Sequence, residues 1–274
     1  MVTLAIDIGG SGARALAAQD ARDGTGTDVR ELRWGAPRSA DEPGQVAELA
    51  RSVLGGRVPD AVAVAFPGTL DAAGVVRRWP NRPWWTGVAL AGRLDFGPPT
   101  LVDDDAYLAA LAEVEARPEA HQDGLFYLGL GTGVGGAWAP PGAGPGHPAP
   151  GAGRGQPGGG LVRCEPGHLI VRPDGPRCVC GRRGCLQAHL RTADAAWALA
   201  LAVADLAEIC AFGRLVVGGG LADPALLRDL ADHLPLLARP GTDLPRPEPA
   251  AHGARSSLRG ALLAARARPR SHHL

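Results

Sequence analysis

Short apolar runs interrupted by glycine turns open the chain. Val2–Ile8 and Ala13–Ala18 flank the turn Gly9-Gly10-Ser11-Gly12, and Ala61–Phe66 is a further apolar run. Runs of roughly four to eight apolar residues bounded by turn residues are typical of buried strands. The first two predict a hairpin. With a helical pattern over Gln45–Leu54, they predict an α/β fold.

The same alternation continues to the end of the chain. Further strands are predicted at Thr100–Val102, Gly124–Leu130, Val134–Trp138 and Arg214–Val217. Further helices are predicted from Asp103–Asp105 to about Glu115 and at Ala193–Ile209, Ala225–Leu237 and Ser256–Ala267. Pro140–Gly160 is rich in proline and glycine without apolar periodicity, which predicts a loop. Arg268–Leu274 is expected to be a frayed tail.

Composition narrows the classes of function. The 274 residues have a formal net charge of zero, and all 28 basic residues are arginine. Without a basic field, binding to nucleic acid or to an anionic membrane is not expected. The sequence has no run of apolar residues long enough for a membrane span and no signal-peptide pattern at its start. These features favour a cytoplasmic protein.

Two glycine-rich turns follow strands and are candidate phosphate loops. The first is Asp7-Ile8-Gly9-Gly10-Ser11-Gly12-Ala13-Arg14, and the second is Leu130-Gly131-Thr132-Gly133-Val134-Gly135-Gly136. Glycine lets backbone amides approach a phosphate closely. The second turn matches neither a dinucleotide fingerprint nor a P-loop. Ordinary hairpin turns remain the alternative for each loop taken alone.

One histidine and three cysteines form a candidate metal site. His168 is followed by Cys178, Cys180 and Cys185, and Gly181 and Gly184 permit tight turns between them. Three thiolates and one imidazole suit a tetrahedral zinc ion, and four protein ligands make such a site structural. Cys164 and Cys210 are expected to be core or loop residues.

Three consecutive carboxylates, Asp103-Asp104-Asp105, begin a predicted helix. Aspartate at a helix start accepts hydrogen bonds from free backbone amides. Adjacent carboxylates also repel one another and titrate as a group. The run is therefore either a solvated helix cap or a general base beside a substrate ligand.

These motifs, in this order, resemble the ROK family (repressors, open reading frames and sugar kinases) of the actin-like ATPase and hexokinase superfamily. The most specific match runs from Gly167-His168 through nine residues to Cys-x-Cys-Gly-x-x-Gly-Cys-Leu186, without a gap. The resemblance implies an α/β fold of two lobes, related to ribonuclease H, with a sugar cleft between them. It also implies an ATP-dependent sugar kinase that uses Mg²⁺ and holds a structural Zn²⁺.

Site residues follow from the resemblance. The catalytic base of the family's acidic run falls on Asp105. The sugar-binding positions are Gly68 after Pro67, Asn81, Asp104, Glu165, His168 and Gln187. The ATP-binding positions are Asp7, Gly9, Gly10, Ser11 and Arg14; Gly131, Thr132, Gly133 and Gly135; and Gly218, Gly219 and Gly220 against the adenosine.

The chain departs from the family pattern at three positions. Asp104 stands where the family has Asn, Tyr107 replaces the last Asn of the acidic run, and Gln187 replaces Glu. A second carboxylate beside the base favours a cationic acceptor, because an ammonium group would offset the repulsion. The sequence therefore favours kanosamine (3-amino-3-deoxyglucose) as the sugar, phosphorylated on its 6-hydroxyl.

Several alternatives stay open. The protein could be an ordinary glucokinase, a kinase of C7-cyclitols, or a catalytically silent sugar sensor. The predicted small lobe is 1–102 with 254–274, and the large lobe is 103–253. Between Leu190 and Arg214 there is room for about one helix, fewer than the family usually has, and a homodimer stays open.

Overall fold

The computed structural model describes residues 1–19, 29–35, 41–143 and 160–267. Most of the predicted loop at Pro140–Gly160 and all of the predicted tail at Arg268–Leu274 lie outside these residues. The strands, numbered in chain order, are β1 Val2–Gly9, β2 Gly12–Gln19, β3 Val29–Arg33, β4 Ala61–Ala65, β5 Thr69–Leu70, β6 Val76–Arg78, β7 Thr100–Asp103, β8 Leu125–Leu130, β9 Val134–Ala139, β10 Val162–Cys164, β11 Arg214–Gly218 and β12 Pro247–Pro249. The helices are α1 Glu42–Leu54, α2 Leu90–Arg93, α3 Asp105–Glu115, α4 Ala120–Asp123, α5 Leu186–His189, α6 Ala195–Ile209, α7 Pro224–Leu237 and α8 Ser256–Ala267.

Two compact units make up the chain. One consists of Met1–Leu108 and Ser257–Leu274, and the other is Ala109–Ser256. The first boundary falls inside α3 and the second at the start of α8. The small lobe at 1–102 with 254–274 and the large lobe at 103–253 stay predictions.

The first unit contains a five-stranded sheet in the order β3-β2-β1-β4-β7. β1 and β2 are antiparallel, as the glycine turn predicts, while β4 and β7 add in parallel. The apolar runs of β1 and β4 are almost fully buried, and α1 packs its apolar face on the same core. The carboxyl-terminal parts of β1, β4 and β7 therefore lie side by side, with Asp7 paired to Ala65 and Ala65 paired to Asp103.

The second unit contains another five-stranded sheet, in the order β10-β9-β8-β11-β12. β8 and β9 are an antiparallel hairpin, and β11 adds in parallel to β8. The apolar helix α6 and one face of α7 cover this sheet. Among the described residues, no helix is long and apolar enough to cross a membrane.

Candidate functional site

The first predicted phosphate loop closes the β1–β2 hairpin. Asp7 lies near the carboxyl end of β1, where it is the last residue paired with β4, and it is only 8 % exposed. Its carboxylate lies 3.5 Å from Nη1 of Arg14, whose Nε donates to Oε1 of Glu31 at 2.9 Å. Burial raises the pKa of Asp7, and a hydrogen bond from Ser257 and the charge of Arg14 partly oppose that rise. Arg14, predicted to reach a phosphate, is held beside Asp7 by two carboxylates.

The acidic run lies at the neighbouring strand end. Asp103 is the last residue of β7, and its Oδ1 accepts the backbone N–H of Asp104 at 2.8 Å. Oδ1 of Asp104 accepts the N–H of Tyr107 at 2.9 Å, which is a helix cap. Oδ1 of Asp105 accepts the N–H of Ala106 at 2.8 Å. The predicted capping of α3 is present.

Asp105 has the strongest pKa shift of this group. Its side chain retains some surface exposure, but its carboxyl group lies deep among protein atoms. This burial, and after it the charges of Asp104 and Asp7, raises the pKa of Asp105 well above the usual value. The structure thus brings three acids from two strand ends close enough to perturb one another. A carboxylate with a raised pKa is the arrangement that general-base chemistry uses.

Gly68 and Asn81, the two other predicted sugar positions in this unit, lie in turns. A Cβ on Gly68 would lie 2.6 Å from the ring of Phe66 and 2.9 Å from the carbonyl oxygen of Arg78, so a side chain does not fit there. Asn81 is exposed and immediately precedes the buried Arg82. Sequence reasoning missed Arg82 and Ser257; a lone arginine or serine carries no motif that would reveal it.

The second predicted phosphate loop and the predicted adenosine turn meet in the second unit. Gly131 and Gly133 form the turn between β8 and β9, closed by an N–H···O bond of 2.9 Å. Gly219, after β11, has φ of 94°, and a Cβ there would collide with the carbonyl oxygen of Leu130. The N–H of Leu221 donates to that same oxygen at 3.0 Å. Gly219 is therefore needed for close packing against the end of β8, whereas a Cβ on Gly220 would meet no neighbouring atom within 4 Å.

The predicted metal ligands form a single cluster. Nδ1 of His168 and the three Sγ atoms of Cys178, Cys180 and Cys185 all lie within 4.8 Å of one another. Sγ of Cys180 and Sγ of Cys185 are 3.7 Å apart, and Sγ of Cys178 is 3.9 Å from Nδ1 of His168. Four donors around a tetrahedral zinc with Zn–S near 2.3 Å are separated by about 3.8 Å. The donors and their spacing fit Zn²⁺.

The thiols of this cluster titrate unequally. Hydrogen bonds, first from the backbone of Arg182, lower the pKa of Cys180 to about 6, whereas burial raises the pKa of Cys185 to about 12. Within the part of the chain that the structure describes, no cysteine forms a disulfide. Cys210 lies in the core of the second unit as predicted, and burial raises its pKa.

Gln187 points toward the cysteine cluster. Its Nε2 donates to Sγ of Cys178 at 3.1 Å, a bond that the carboxylate of a glutamate could not make. Glu165 is exposed at the turn Pro166–His168, and Gly167 in that turn packs against the backbone of Val134. The sugar-binding roles predicted for Glu165, His168 and Gln187 stay predictions.

Glu113 is a further residue that the sequence did not reveal. It is fully buried in α3, where it pairs with Arg117 and accepts from the N–H of Ala251 at 2.8 Å and from Oγ of Ser256 at 2.7 Å. A Cβ on Gly218 would lie 2.9 Å from Cβ of Ala250. The carboxylate therefore fixes the segment that packs against the predicted adenosine turn.

Comparison with known proteins identifies related sequences. The sequence profile of the ROK family matches residues 3–191. A kanosamine kinase from Amycolatopsis mediterranei is 37 % identical over 310 aligned positions, which cover 94 % of this chain and 94 % of that enzyme. A glucokinase from Thermotoga maritima is 34 % identical over 147 residues, covering 53 % of this chain and 43 % of that enzyme.

Solved structures share the fold. A ROK family glucokinase from Streptomyces griseus, in complex with glucose and AMPPNP, superposes with a TM-score of 0.77 at 21 % identity, covering 97 % of this chain and 99 % of that one. A ROK hexokinase from Thermus thermophilus gives a TM-score of 0.68 at 24 % identity, covering 97 % and 98 %. The α/β fold predicted from the sequence, that of the actin-like ATPase superfamily, is confirmed.

Proposed function

We propose, since this chain belongs to the ROK family and is an ATP-dependent sugar kinase, that its preferred acceptor is an amino sugar of the kanosamine type. The reaction transfers the γ-phosphoryl group of ATP to the 6-hydroxyl of the sugar. A relative with nearly full mutual coverage is named a kanosamine kinase, which supports this acceptor.

The observation that carries the proposal is the pair of adjacent carboxylates, Asp104 and Asp105. The charge of Asp104 raises the pKa of Asp105, so the two acids oppose each other's ionisation. An acceptor with an ammonium group near Asp104 relieves this repulsion and forms a charge-assisted hydrogen bond. A neutral hexose supplies no such charge. The acidic pair therefore favours a cationic sugar over glucose.

Asp105 acts as the general base in this proposal. It accepts the proton of the 6-hydroxyl as the hydroxyl oxygen attacks the γ-phosphorus, and the bond from phosphorus to the bridging oxygen of ADP breaks. The backbone amides of Gly9–Ser11 and Gly131–Gly135 bind the phosphates, while Gly218–Gly220 lie against the adenosine. Arg14 and Ser257 partly oppose the rise that burial causes in the pKa of Asp7, beside the first loop.

The proposed enzyme uses two metal ions, Mg²⁺ with ATP and a structural Zn²⁺. Mg²⁺, when bound with ATP, neutralises charge on the transferred group, and Asp7 would hold its water shell. Zn²⁺ would be held by Nδ1 of His168 and by Sγ of Cys178, Cys180 and Cys185. With four protein ligands it contributes to folding, not to the chemical step.

A panel of acceptor sugars tests whether a positive charge on the sugar favours its phosphorylation. ADP release is measured with Mg²⁺ and ATP against kanosamine, its N-acetyl derivative, glucose, glucosamine and a C7-cyclitol. We expect kanosamine to have the highest kcat/KM. Acetylation of its amine, which removes the positive charge, should lower kcat/KM by about 10-fold or more, because one charged hydrogen bond contributes roughly 1.5–3 kcal/mol.

Two outcomes of the panel would overturn this acceptor. If glucose has the highest kcat/KM, the protein is a glucokinase and Asp104 has no role in selectivity. If the C7-cyclitol is preferred, the acceptor is recognised by its ring and not by an amine. The position of phosphorylation is read by NMR of the product.

A further inference from the structure

Six side chains, four of them buried and two partly buried, form a cluster against the first phosphate loop. The Arg82 cluster consists of Trp34, Glu42, Trp79, Arg82, Trp84 and Trp85. Nη1 of Arg82 pairs with Glu42, and these side chains are only 10 % and 2 % exposed. Nε1 of Trp84 and Nε1 of Trp85 donate to the same carboxylate at 3.0 and 2.6 Å. The guanidinium also lies 4.8 Å from the ring of Trp34.

This cluster contacts the backbone of the phosphate loop directly. Nε and Nη2 of Arg82 both donate to the carbonyl oxygen of Gly10, at 3.1 and 2.8 Å. Nε1 of Trp34 donates to the carbonyl oxygen of Gly9 at 2.9 Å. Two consecutive peptide groups of a glycine turn are therefore held from the same cluster.

The contact between the cluster and the two carbonyl oxygens also orients the N–H groups on the other face of the loop. In a planar trans peptide the C=O and the following N–H point in opposite directions. Fixing the carbonyls of Gly9 and Gly10 on the cluster turns the N–H groups of Gly10 and Ser11 away from it. Successive N–H groups turned outward are what an anion binds. Glycine without such an anchor adopts many conformations.

We propose that Arg82 is a positioning residue for phosphoryl transfer, which orients the amides of Gly10 and Ser11 toward the phosphates of ATP. The inference rests on the phosphate-loop role in the proposed function. Arg82 itself does not touch the nucleotide: its charge is matched by Glu42, and its remaining donors hold Gly10. The fork of the guanidinium is essential, because a lysine ammonium cannot make the paired contact.

Three variants separate positioning from folding. Arg82→Lys keeps the charge opposite Glu42 but loses the fork. Glu42→Gln weakens the ion pair but leaves the fork on Gly10. Arg93→Lys, at an exposed arginine of α2 in the same unit, is the matched control. For each protein we measure the melting temperature, the Kd for Mg·AMPPNP by calorimetry, and the Kd for the sugar without nucleotide.

Arg82→Lys is expected to raise the Kd for AMPPNP and to lower kcat/KM for ATP by about 10-fold to 100-fold, the effect of displacing a binding group by a fraction of an ångström to 1 Å. Sugar binding should be unchanged. Glu42→Gln should lose as much thermal stability yet bind AMPPNP within about threefold of wild type, because it keeps the Gly10 contact. Arg93→Lys should match wild type in every measurement.

Parallel losses of sugar binding, nucleotide binding and melting temperature in both cluster variants would overturn the proposal, since they indicate a structural role alone. Unchanged AMPPNP binding in Arg82→Lys would also overturn it, even in an active kinase. If Arg82→Lys does not fold, Trp34→Phe, which removes the bond to Gly9 but keeps an aromatic ring beside Arg82, must weaken AMPPNP binding for the proposal to stand. The two proposals can fail separately. If Arg82→Lys weakens AMPPNP binding but wild type phosphorylates no sugar, the proposed acceptor is overturned and the role of Arg82 in nucleotide binding is not.

Discussion

At the scale of single residues, the proposed chemistry rests on the carboxylates of the first unit. Asp7 lies near the carboxyl end of β1, and Asp104 and Asp105 follow β7, so neighbouring parallel strands bring acids from distant parts of the sequence together. Burial and mutual repulsion raise the pKa of Asp105, which suits it to accept a proton from a hydroxyl. Arg14 and Ser257 oppose the same effect at Asp7. In the proposed reaction, the two aspartates therefore have separate roles: Asp105 accepts the proton, and Asp7 lies beside the first phosphate loop.

Replacing Asp105 by Asn should abolish most of the catalysis without unfolding the protein. An amide cannot accept the proton, and general-base catalysis contributes roughly 10²–10⁴ in rate. We expect kcat to fall by that factor, with KM for ATP nearly unchanged. Asp95→Asn, at an exposed aspartate of the same unit, is the control and should retain full activity. Retention of more than a tenth of kcat in Asp105→Asn would assign the base to another group.

The pH profile should show the raised pKa of Asp105. The base must be ionised, so kcat/KM falls as pH drops through that pKa, at a higher pH than for an ordinary aspartate. Asp104→Asn removes the neighbouring negative charge, which lowers the pKa of Asp105 and moves the acidic limb to lower pH. Steady-state kinetics across pH, with glucose as a neutral acceptor, measures the shift. An unmoved limb would show that Asp104 does not affect the base.

At the scale of elements, helix α3 contains the proposed general base in its first turn and a buried carboxylate that stabilises the fold farther along. Its first turn presents Asp105, and one buried position farther on is Glu113. This carboxylate accepts two backbone N–H groups, at Ala251 and His252, and a hydroxyl from Ser256. A buried acceptor with this many donors fixes the segment that leads into α8.

Glu113→Ala should destabilise the protein by about 3 kcal/mol or more, because it removes a fully buried carboxylate that pairs with Arg117 and accepts from two backbone amides and from Ser256. Urea unfolding measures the loss. Glu115→Ala, two residues along the same helix and exposed, is the matched control and should change stability by no more than about 0.5 kcal/mol. Equal effects of the two substitutions would mean that the network around Glu113 contributes nothing specific.

The main elements could be predicted from the sequence, whereas the short ones could not. Apolar runs bounded by glycine located β1, β2, β4, β8 and β11, and α8 begins and ends as predicted. The sequence of the edge strand Val29–Arg33 is typical of a charged surface segment. The sequence of the edge strand Pro247–Pro249 is typical of a proline-rich loop. Both become strands only because a neighbouring strand offers backbone partners, which local pattern does not encode.

At the scale of the whole molecule, low aromatic content and abundant glycine leave a core built of alanine, valine and leucine. The proposed zinc ion would add order to the segment that carries its ligands. The segment from His168 to Cys185 contains mostly turns, held by the cysteine cluster and a few backbone hydrogen bonds. Its conformation therefore depends on the four donors.

Removing zinc should lower the melting temperature and expose the cysteines. We expect one zinc ion per purified chain by elemental analysis, a large loss of thermal stability with a strong chelator, and its recovery when Zn²⁺ is returned. Cys185→Ser should lose the metal. Cys164→Ser, outside the cluster, should keep it. Metal-free protein with an unchanged melting temperature would contradict a structural zinc site.

The cluster of one histidine and three cysteines could be predicted from their spacing in the sequence, since the four donors lie within eighteen residues. Contacts between distant segments were beyond such reasoning. Asp7 and Ser257 are brought together by the fold, and so are Gly10 and Arg82. Neither Ser257 nor Arg82 belongs to a motif, so only the structure reveals them.

The most direct test of the central claim is internal competition between kanosamine and glucose, with wild type and Asp104→Asn. Both sugars are present in one vessel, and the ratio of the two phosphorylated products gives the ratio of the two kcat/KM values. We predict that wild type favours kanosamine and that Asp104→Asn lowers this ratio by about 10-fold, the effect of losing one charge-assisted hydrogen bond. An unchanged ratio would contradict the claim that Asp104 selects a cationic sugar.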